Sequence, residues 1–116
     1  MAGAGRARIG DLDGKVAVVT GSTRGIGRAI ADRFSTEGAR VVVHGRDPVT
    51  AEKIAAELPG EAIGFGAEMS DSGSVAGLIQ RAVDEWGRVD VLVNNAGVAL
   101  DNFVTGVTDE RWHTVL

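Results

Sequence analysis

Lys15-Val-Ala-Val-Val-Thr-Gly-Ser-Thr-Arg-Gly-Ile-Gly27 joins a continuous apolar run to three closely spaced glycines. Val16, Ala17, Val18 and Val19 are rich in β-branching, as suits a central parallel strand covered on both faces. Gly21, Gly25 and Gly27 follow with the spacing Gly-x-x-x-Gly-x-Gly. Glycine reaches positive φ and lets other atoms come close to the main chain. A helix beginning there turns its first amides and its positive dipole end outward, so a diphosphate is the natural guest. The lysine and hydroxyl of a P-loop are missing, because Arg28 follows Gly27.

Outward from this stretch, strand and helix patterns alternate. Ile26, Ala29, Ile30 and Phe34 give a helical stripe, and Gly38 stops it. Val41, Val42 and Val43 make a second buried strand. Asp47-Pro48 reads as an N-cap with proline at the first helical position. The helix that follows carries Ala51, Ile54, Ala55 and Leu58 on its face and ends at Pro59-Gly60. Residues 62–67 form a third strand diluted by Gly64 and Gly66. Ser70 or Asp71 can cap a helix striped by Val75, Leu78, Ile79, Ala82, Val83 and Trp86, closed by Gly87. Val89, Val91, Leu92 and Val93 build the fourth strand, which exits through Asn94-Asn95-Ala96-Gly97. A last helix is expected from Thr108, with Asp109 and Glu110 in its first turn and Trp112 in its core stripe. Short links and strict alternation imply a doubly wound parallel α/β sheet with helices on both faces. The expected strand order is 3-2-1-4, which brings the glycine turn and the Asn94–Gly97 segment to one crevice.

Hydrophobic residues make up 44 % of the chain and charged residues 24 %, ordinary proportions for a globular domain. A net charge of -4 gives no electrostatic case for nucleic acid or an anionic membrane as partner. The chain has no cysteine, hence no disulfide framework and no thiolate metal site. His44 and His113 lack a second ligand at metal-binding spacing, so no metal is expected, and surface or boundary roles are assigned to both. Residues 1–13 read as a flexible tail and 14–116 as one nucleotide-binding domain, with the cytoplasm as default compartment.

Thr20-Gly-Ser-Thr-Arg-Gly-Ile-Gly27, followed by Asn94-Asn-Ala-Gly97, resembles the short-chain dehydrogenase/reductase family over nearly the whole chain from Asp13. The resemblance implies a Rossmann-type three-layer αβα fold and a nicotinamide dinucleotide. Asp101-Asn102 and Asp109-Glu-Arg-Trp112 further resemble the 3-oxoacyl-[acyl-carrier-protein] reductase branch. Carried over, the cofactor-binding residues are Gly21, Ser22, Thr23, Arg24, Gly25, Ile26, Gly27, Arg46, Glu68, Met69, Asn95, Ala96 and Gly97, with Asn94 structural. Glu68 stands where the family usually has Asp. At the end of strand two Gly45-Arg46 replaces the acid that would bond a ribose diol, and an arginine there accommodates a 2′-phosphate. Arg24 adds a second cation, so NADP(H) is favoured over NAD(H), with Asp47 assigned to capping.

The family protonates the reduced carbonyl with a tyrosine of a Tyr-x-x-x-Lys motif, aided by a serine and an asparagine. This chain has no tyrosine, and its only lysines are Lys15 and Lys53. The resemblance places all four groups beyond Leu116, so no catalytic residue is assigned within the chain. Two readings stay open. One is the N-terminal part of an NADPH-dependent reductase of a ketone or 3-oxoacyl thioester, homo-oligomeric at full length. The other is a non-catalytic nucleotide-binding or regulatory module. Nothing in the pattern supplies a partner for strand four, which predicts an open hydrophobic edge and a tendency to aggregate.

Overall fold

The computed structural model describes residues 11–68, 72–95, 102–108 and 111–115, with side chains over 11–68 and 75–95. The apolar run is strand β1 (Val16–Val19), and all its side chains are fully buried. It feeds the glycine turn and helix α1 (Gly25–Thr36). Strand β2 (Arg40–Gly45), helix α2 (Pro48–Glu57), strand β3 (Ala62–Gly66), helix α3 (Ser72–Trp86) and strand β4 (Val91–Asn94) follow in order. β1 pairs in parallel with β2 and β4, and β2 pairs in parallel with β3. The expected 3-2-1-4 order is therefore present.

The side-chain alternation of the strands sorts the core into two layers. Ala17, Val19, Val41, Val43 and Val93 pack with Ala31 of α1 and Ala51, Ala55 and Leu58 on the α2 side. Val16, Val18, Val42 and Leu92 pack with Leu78 and Ala82 of α3. Helices thus cover both faces, as fully buried parallel strands require. Asp47 caps α2 as its sequence predicts, accepting from the Val49 amide at 3.0 Å and the Thr50 hydroxyl at 2.9 Å. The glycines that dilute β3 have a packing cause. A Cβ on Gly66 would lie 2.5 Å from the Pro48 nitrogen, and one on Gly64 would run into the backbone at Glu52. Only bare backbone lets α2 sit this close to the sheet.

Three expectations change. The buried face of α1 is Gly27, Ala31 and Ser35, with Ile30 and Phe34 partly buried beside it. Ile26 and Ala29 are exposed, because the helix seats on the sheet through its smallest residues. The helix expected from Thr108 is instead a hairpin of β5 (Asn102–Thr108) and β6 (Arg111–Val115), while Asp109 and Glu110 lie outside the described residues. β5 pairs antiparallel with β4 from Val91↔Thr105 to Asn94↔Asn102. The sheet order becomes β3-β2-β1-β4-β5-β6, so the edge expected to be open on β4 is covered. An interior strand with one unpaired ladder is a strong template for pairing, and Phe103-Val104-Thr105 is rich in strand formers. The third change concerns the expected tail: residues 1–10 lie outside the described residues, but 11–14 form a turn. Leu12 packs on the core there, and its amide donates to the Glu37 carbonyl at 3.0 Å.

Candidate functional site

Parallel pairing brings the exits of β1, β2, β3 and β4 to one edge of the sheet. The glycine turn, Gly45-Arg46, Ala67-Glu68 and Asn94-Asn95 all lie there. Gly21 and Gly25 have φ of 62° and 63°, a conformation that L side chains rarely adopt. Gly27 is needed for a different reason. A Cβ on it would strike the Gly21 carbonyl oxygen and stand 2.8 Å from Asn95 Nδ2.

The turn is held from below by β4 and from the side by β2. Thr20 Oγ1 accepts the Asn95 amide at 2.7 Å and donates to Asn94 Oδ1 at 3.3 Å. Asn95 Nδ2 donates to the Gly21 carbonyl at 3.3 Å. Both asparagines therefore brace the turn, where the sequence suggests bracing for Asn94 alone. Ser22 is fully buried. Its hydroxyl donates to the Val19 carbonyl at 2.7 Å and accepts the His44 amide at 2.9 Å. The Ser22 amide donates to the His44 carbonyl at 2.8 Å. The polar groups of Ser22 thus face inward, and the residue shapes the turn from within.

His44 is the residue that sequence reasoning misplaces. It is buried, 2 % exposed, at the end of β2. The Gly21 amide donates to its Nδ1 at 2.9 Å. Its Nε2 lies 2.7 Å from the Ala67 carbonyl. With Nδ1 accepting, the hydrogen resides on Nε2 and the ring is neutral. Burial lowers its pKa, against the Ala67 hydrogen bond and the charge of Glu68, which raise it. A signal for this was available: strand alternation puts His44 on the same face as buried Val42. The unfolded chain, titrating near the ordinary value of about 6.5, binds more protons than the native state just below that pH. Stability is therefore full above the ordinary value and falls as pH drops toward the lowered native one. Melting temperatures measured at pH 8 and at pH 5.5 should show this fall, and His44→Asn should reduce it.

The start of α1 lacks the usual satisfiers. Its N-cap is Arg24, extended at φ -161°, with no side-chain cap hydrogen bond and no acidic residue in the first turn. A cation beside the positive end of a helix is unfavourable by about 0.3–1 kcal/mol. The first amides of the helix have no intrahelical carbonyl to meet. Ile26, 68 % exposed, projects from the same turn.

Thr23 lies against Gly45, whose Cβ, were there one, would come 2.6 Å from Thr23 Cγ2. This contact brings together the segments that carry Arg24 and Arg46, the residues next in each chain. Both arginines are exposed. Arg28, Arg33, Arg40, Arg81 and Arg88 each hold a carboxylate. Among the described residues Arg24 and Arg46 hold none. Glu68 is exposed at the β3 exit. Met69, Ala96 and Gly97 lie outside the described residues. Among the described residues no group of His, Cys, Asp or Glu could hold a metal ion, and no helix is long and apolar enough to cross a membrane.

A glycine turn opening a helix at the carboxyl edge of a 3-2-1-4 parallel sheet defines the Rossmann-type doubly wound α/β class. The chain belongs to the short chain dehydrogenase family, whose model matches residues 15–116. It is 40 % identical over 105 residues to the 3-oxoacyl-[acyl-carrier-protein] reductase FabG of Haemophilus influenzae, covering 90 % of this chain and 43 % of that protein. It is 43 % identical over 107 residues to an NADP-dependent (R)-specific alcohol dehydrogenase of Lentilactobacillus kefiri, covering 90 % of this chain and 42 % of that one. The fold is also similar to a crystal structure of a hydroxysteroid dehydrogenase from Escherichia coli. That match has a TM-score of 0.72 and 37 % identity over 79 % of this chain and 39 % of the other. The chain thus spans less than half the length of these relatives, which are oxidoreductases.

Proposed function

We propose that residues 14–116 form the NADP(H)-binding segment of a short-chain carbonyl reductase. The observation that carries this reading is an unmet demand for an anion: an uncapped helix start beside Arg24 and Arg46, which among the described residues hold no carboxylate. Main-chain amides over Thr23, Arg24, Gly25, Ile26 and Gly27 face the diphosphate, and Gly21 and Ser22 hold their shape from inside. Arg24 and Arg46 take the 2′-phosphate. Glu68 and Met69 border the adenine, and Asn95, Ala96 and Gly97 border the nicotinamide side. A dinucleotide bound here supplies hydride for a carbonyl. The names of the relatives support a ketone or 3-oxoacyl thioester as its acceptor; a homo-oligomeric, cytoplasmic full-length enzyme completes the reading.

A phosphate held by an arginine through charge-assisted hydrogen bonds is worth about 1.5–3 kcal/mol. Arg46→Ala should therefore weaken NADPH binding by about tenfold to a hundredfold and leave NADH binding unchanged. Calorimetric titration of both cofactors against both chains tests this. Equal affinity for the two cofactors, unaltered by the substitution, overturns the 2′-phosphate assignment.

One composition fact favours a second reading, binding without turnover. The chain contains no tyrosine to protonate an alkoxide. Both readings expect these 116 residues to bind without turnover, so the coding frame downstream of Leu116 separates them: a serine and a Tyr-x-x-x-Lys motif there support the reductase, and a stop codon supports the second reading.

A further inference from the structure

We propose that His44 is a positioning residue for the dinucleotide site, its unprotonated Nδ1 holding the Gly21 amide so that the glycine turn keeps its binding shape. The proposal rests on the dinucleotide reading and adds to it a dependence of affinity on pH.

The geometry leaves the ring little freedom. Nδ1 takes the Gly21 N–H at 2.9 Å, and Nε2 meets the Ala67 carbonyl at 2.7 Å. One imidazole at the tip of β2 therefore ties the exit of β1 to the exit of β3. Its own main chain adds two further ties to Ser22, at 2.9 Å and 2.8 Å. Gly21 stands at positive φ, where the chain reverses toward the helix. Its carbonyl is the atom that Gly27 approaches and that Asn95 bonds. A displacement of the Gly21 peptide thus reaches both the helix start and the β4 brace.

Protonation is possible only at Nδ1, since Nε2 already carries a hydrogen. It would place a donor against the Gly21 donor, with the ring itself buried. The pair must separate, and Gly21 must move with it. The groups that bear on this step come from each neighbour. The glycine turn presents the Gly21 amide and the Ser22 hydroxyl, neither of which titrates in this range. The β3 exit presents the Ala67 carbonyl and the charge of Glu68. Just past the end of its own strand the nearest charge is Arg46, two residues on and exposed. Burial disfavours the proton and Glu68 favours it, so Glu68 tunes where the turn lets go.

Two substitutions separate the two ring contacts. In Asn the Oδ1 acceptor stands as many bonds from Cα as Nδ1, while in Gln the Nε2 donor stands as many bonds from Cα as the histidine Nε2. His44→Asn keeps an acceptor for Gly21 and removes the proton. His44→Gln keeps the donor for Ala67, while its acceptor Oε1 stands one bond farther from Cα than Nδ1. Binding of NADP+, which tolerates acid, is measured from pH 8 to pH 5.5 for all three chains. The ligand's own phosphate titrates near pH 6, so the difference between wild type and His44→Asn is what is read. The wild type should lose more affinity than His44→Asn across this range, by a factor below about tenfold because the ring titrates below its ordinary value of about 6.5, and His44→Gln should bind weakly throughout. In parallel, the Gly21 amide of the free, 15N-labelled wild type should shift with the titration of the His44 ring. A Gly21 amide that ignores the ring overturns the proposal whether or not the variants fold. So does a His44→Asn profile that parallels the wild type, or His44→Gln binding as well as His44→Asn. Failure of the wild type to bind NADP+ at pH 8, with the Gly21 amide still tracking the ring, would sink the dinucleotide reading instead and leave His44 as the anchor of the turn.

Discussion

Gly27→Ala is expected to abolish detectable dinucleotide binding and to lower stability together. The added methyl would overlap the Gly21 carbonyl oxygen and stand 2.8 Å from Asn95 Nδ2. Neither neighbour is the loose end of a flexible side chain. Gly21 is held by His44, and Asn95 is held by Thr20. Overpacking of this kind costs about 1–3 kcal/mol, and the Asn95–Gly21 hydrogen bond adds about 1 kcal/mol if it breaks. Gly25→Ala provides the contrast. A Cβ on Gly25 would meet nothing within 4 Å, so the cost there is the left-handed backbone alone. That is about 1–2 kcal/mol. The open space above Gly25 is where the diphosphate is proposed to lie, so Gly25→Ala should impair binding more than it impairs folding. Urea denaturation and NADPH titration on the two variants distinguish these effects. Full affinity in Gly25→Ala would mean that the ligand does not approach that backbone.

The contrast shows which parts of the site a sequence can carry. Strand β1, the glycine turn and the 3-2-1-4 order follow from local signals: a β-branched run, glycine spacing and strict alternation. The capping of α2 by Asp47 is equally local, because the cap and its two donors, the Val49 amide and the Thr50 hydroxyl, lie within three residues. What the sequence does not carry is the inward use of polar groups. Ser22 looks like a phosphate contact until its hydroxyl is found between the Val19 carbonyl and the His44 amide. His44 looks like a boundary residue until a partner 23 positions away supplies a reason to bury it. Such bonds join segments distant in sequence, and no periodicity encodes them. The α1 stripe fails for a related reason. Apolar spacing favours Ile26 and Ala29, but the close approach of a glycine-started helix selects Gly27, Ala31 and Ser35 for the sheet. The hairpin of β5 and β6 is a third case. The local Asp109-Glu110 pair reads as a helix start, while the unpaired ladder of β4, a tertiary demand, favours strands.

Leu78→Ala should produce the largest loss of stability without touching the site. Leu78 is the largest fully buried side chain of the layer between α3 and the sheet. It packs in one cluster with Val16, Val18, Val42, Ala82, Val89 and Leu92. The four valines among them are stiff at χ1 and have little rotamer freedom with which to fill a gap. Leucine-to-alanine changes in such cores cost about 2–5 kcal/mol, against a total of about 5–15 kcal/mol for a whole domain. With a urea dependence of about 1–3 kcal/mol per molar, the centres of these ranges put the fall in the unfolding midpoint at about 2 M. Leu78 belongs to the layer opposite Val19, Val41 and Val43, and the brace of Thr20, Asn94 and Asn95 does not run through it. The folded fraction of the variant should therefore bind NADPH as the wild type does. Weakened binding under conditions where the variant is fully folded would mean that the turn takes its shape from the α3 layer, and not from His44 and the two asparagines.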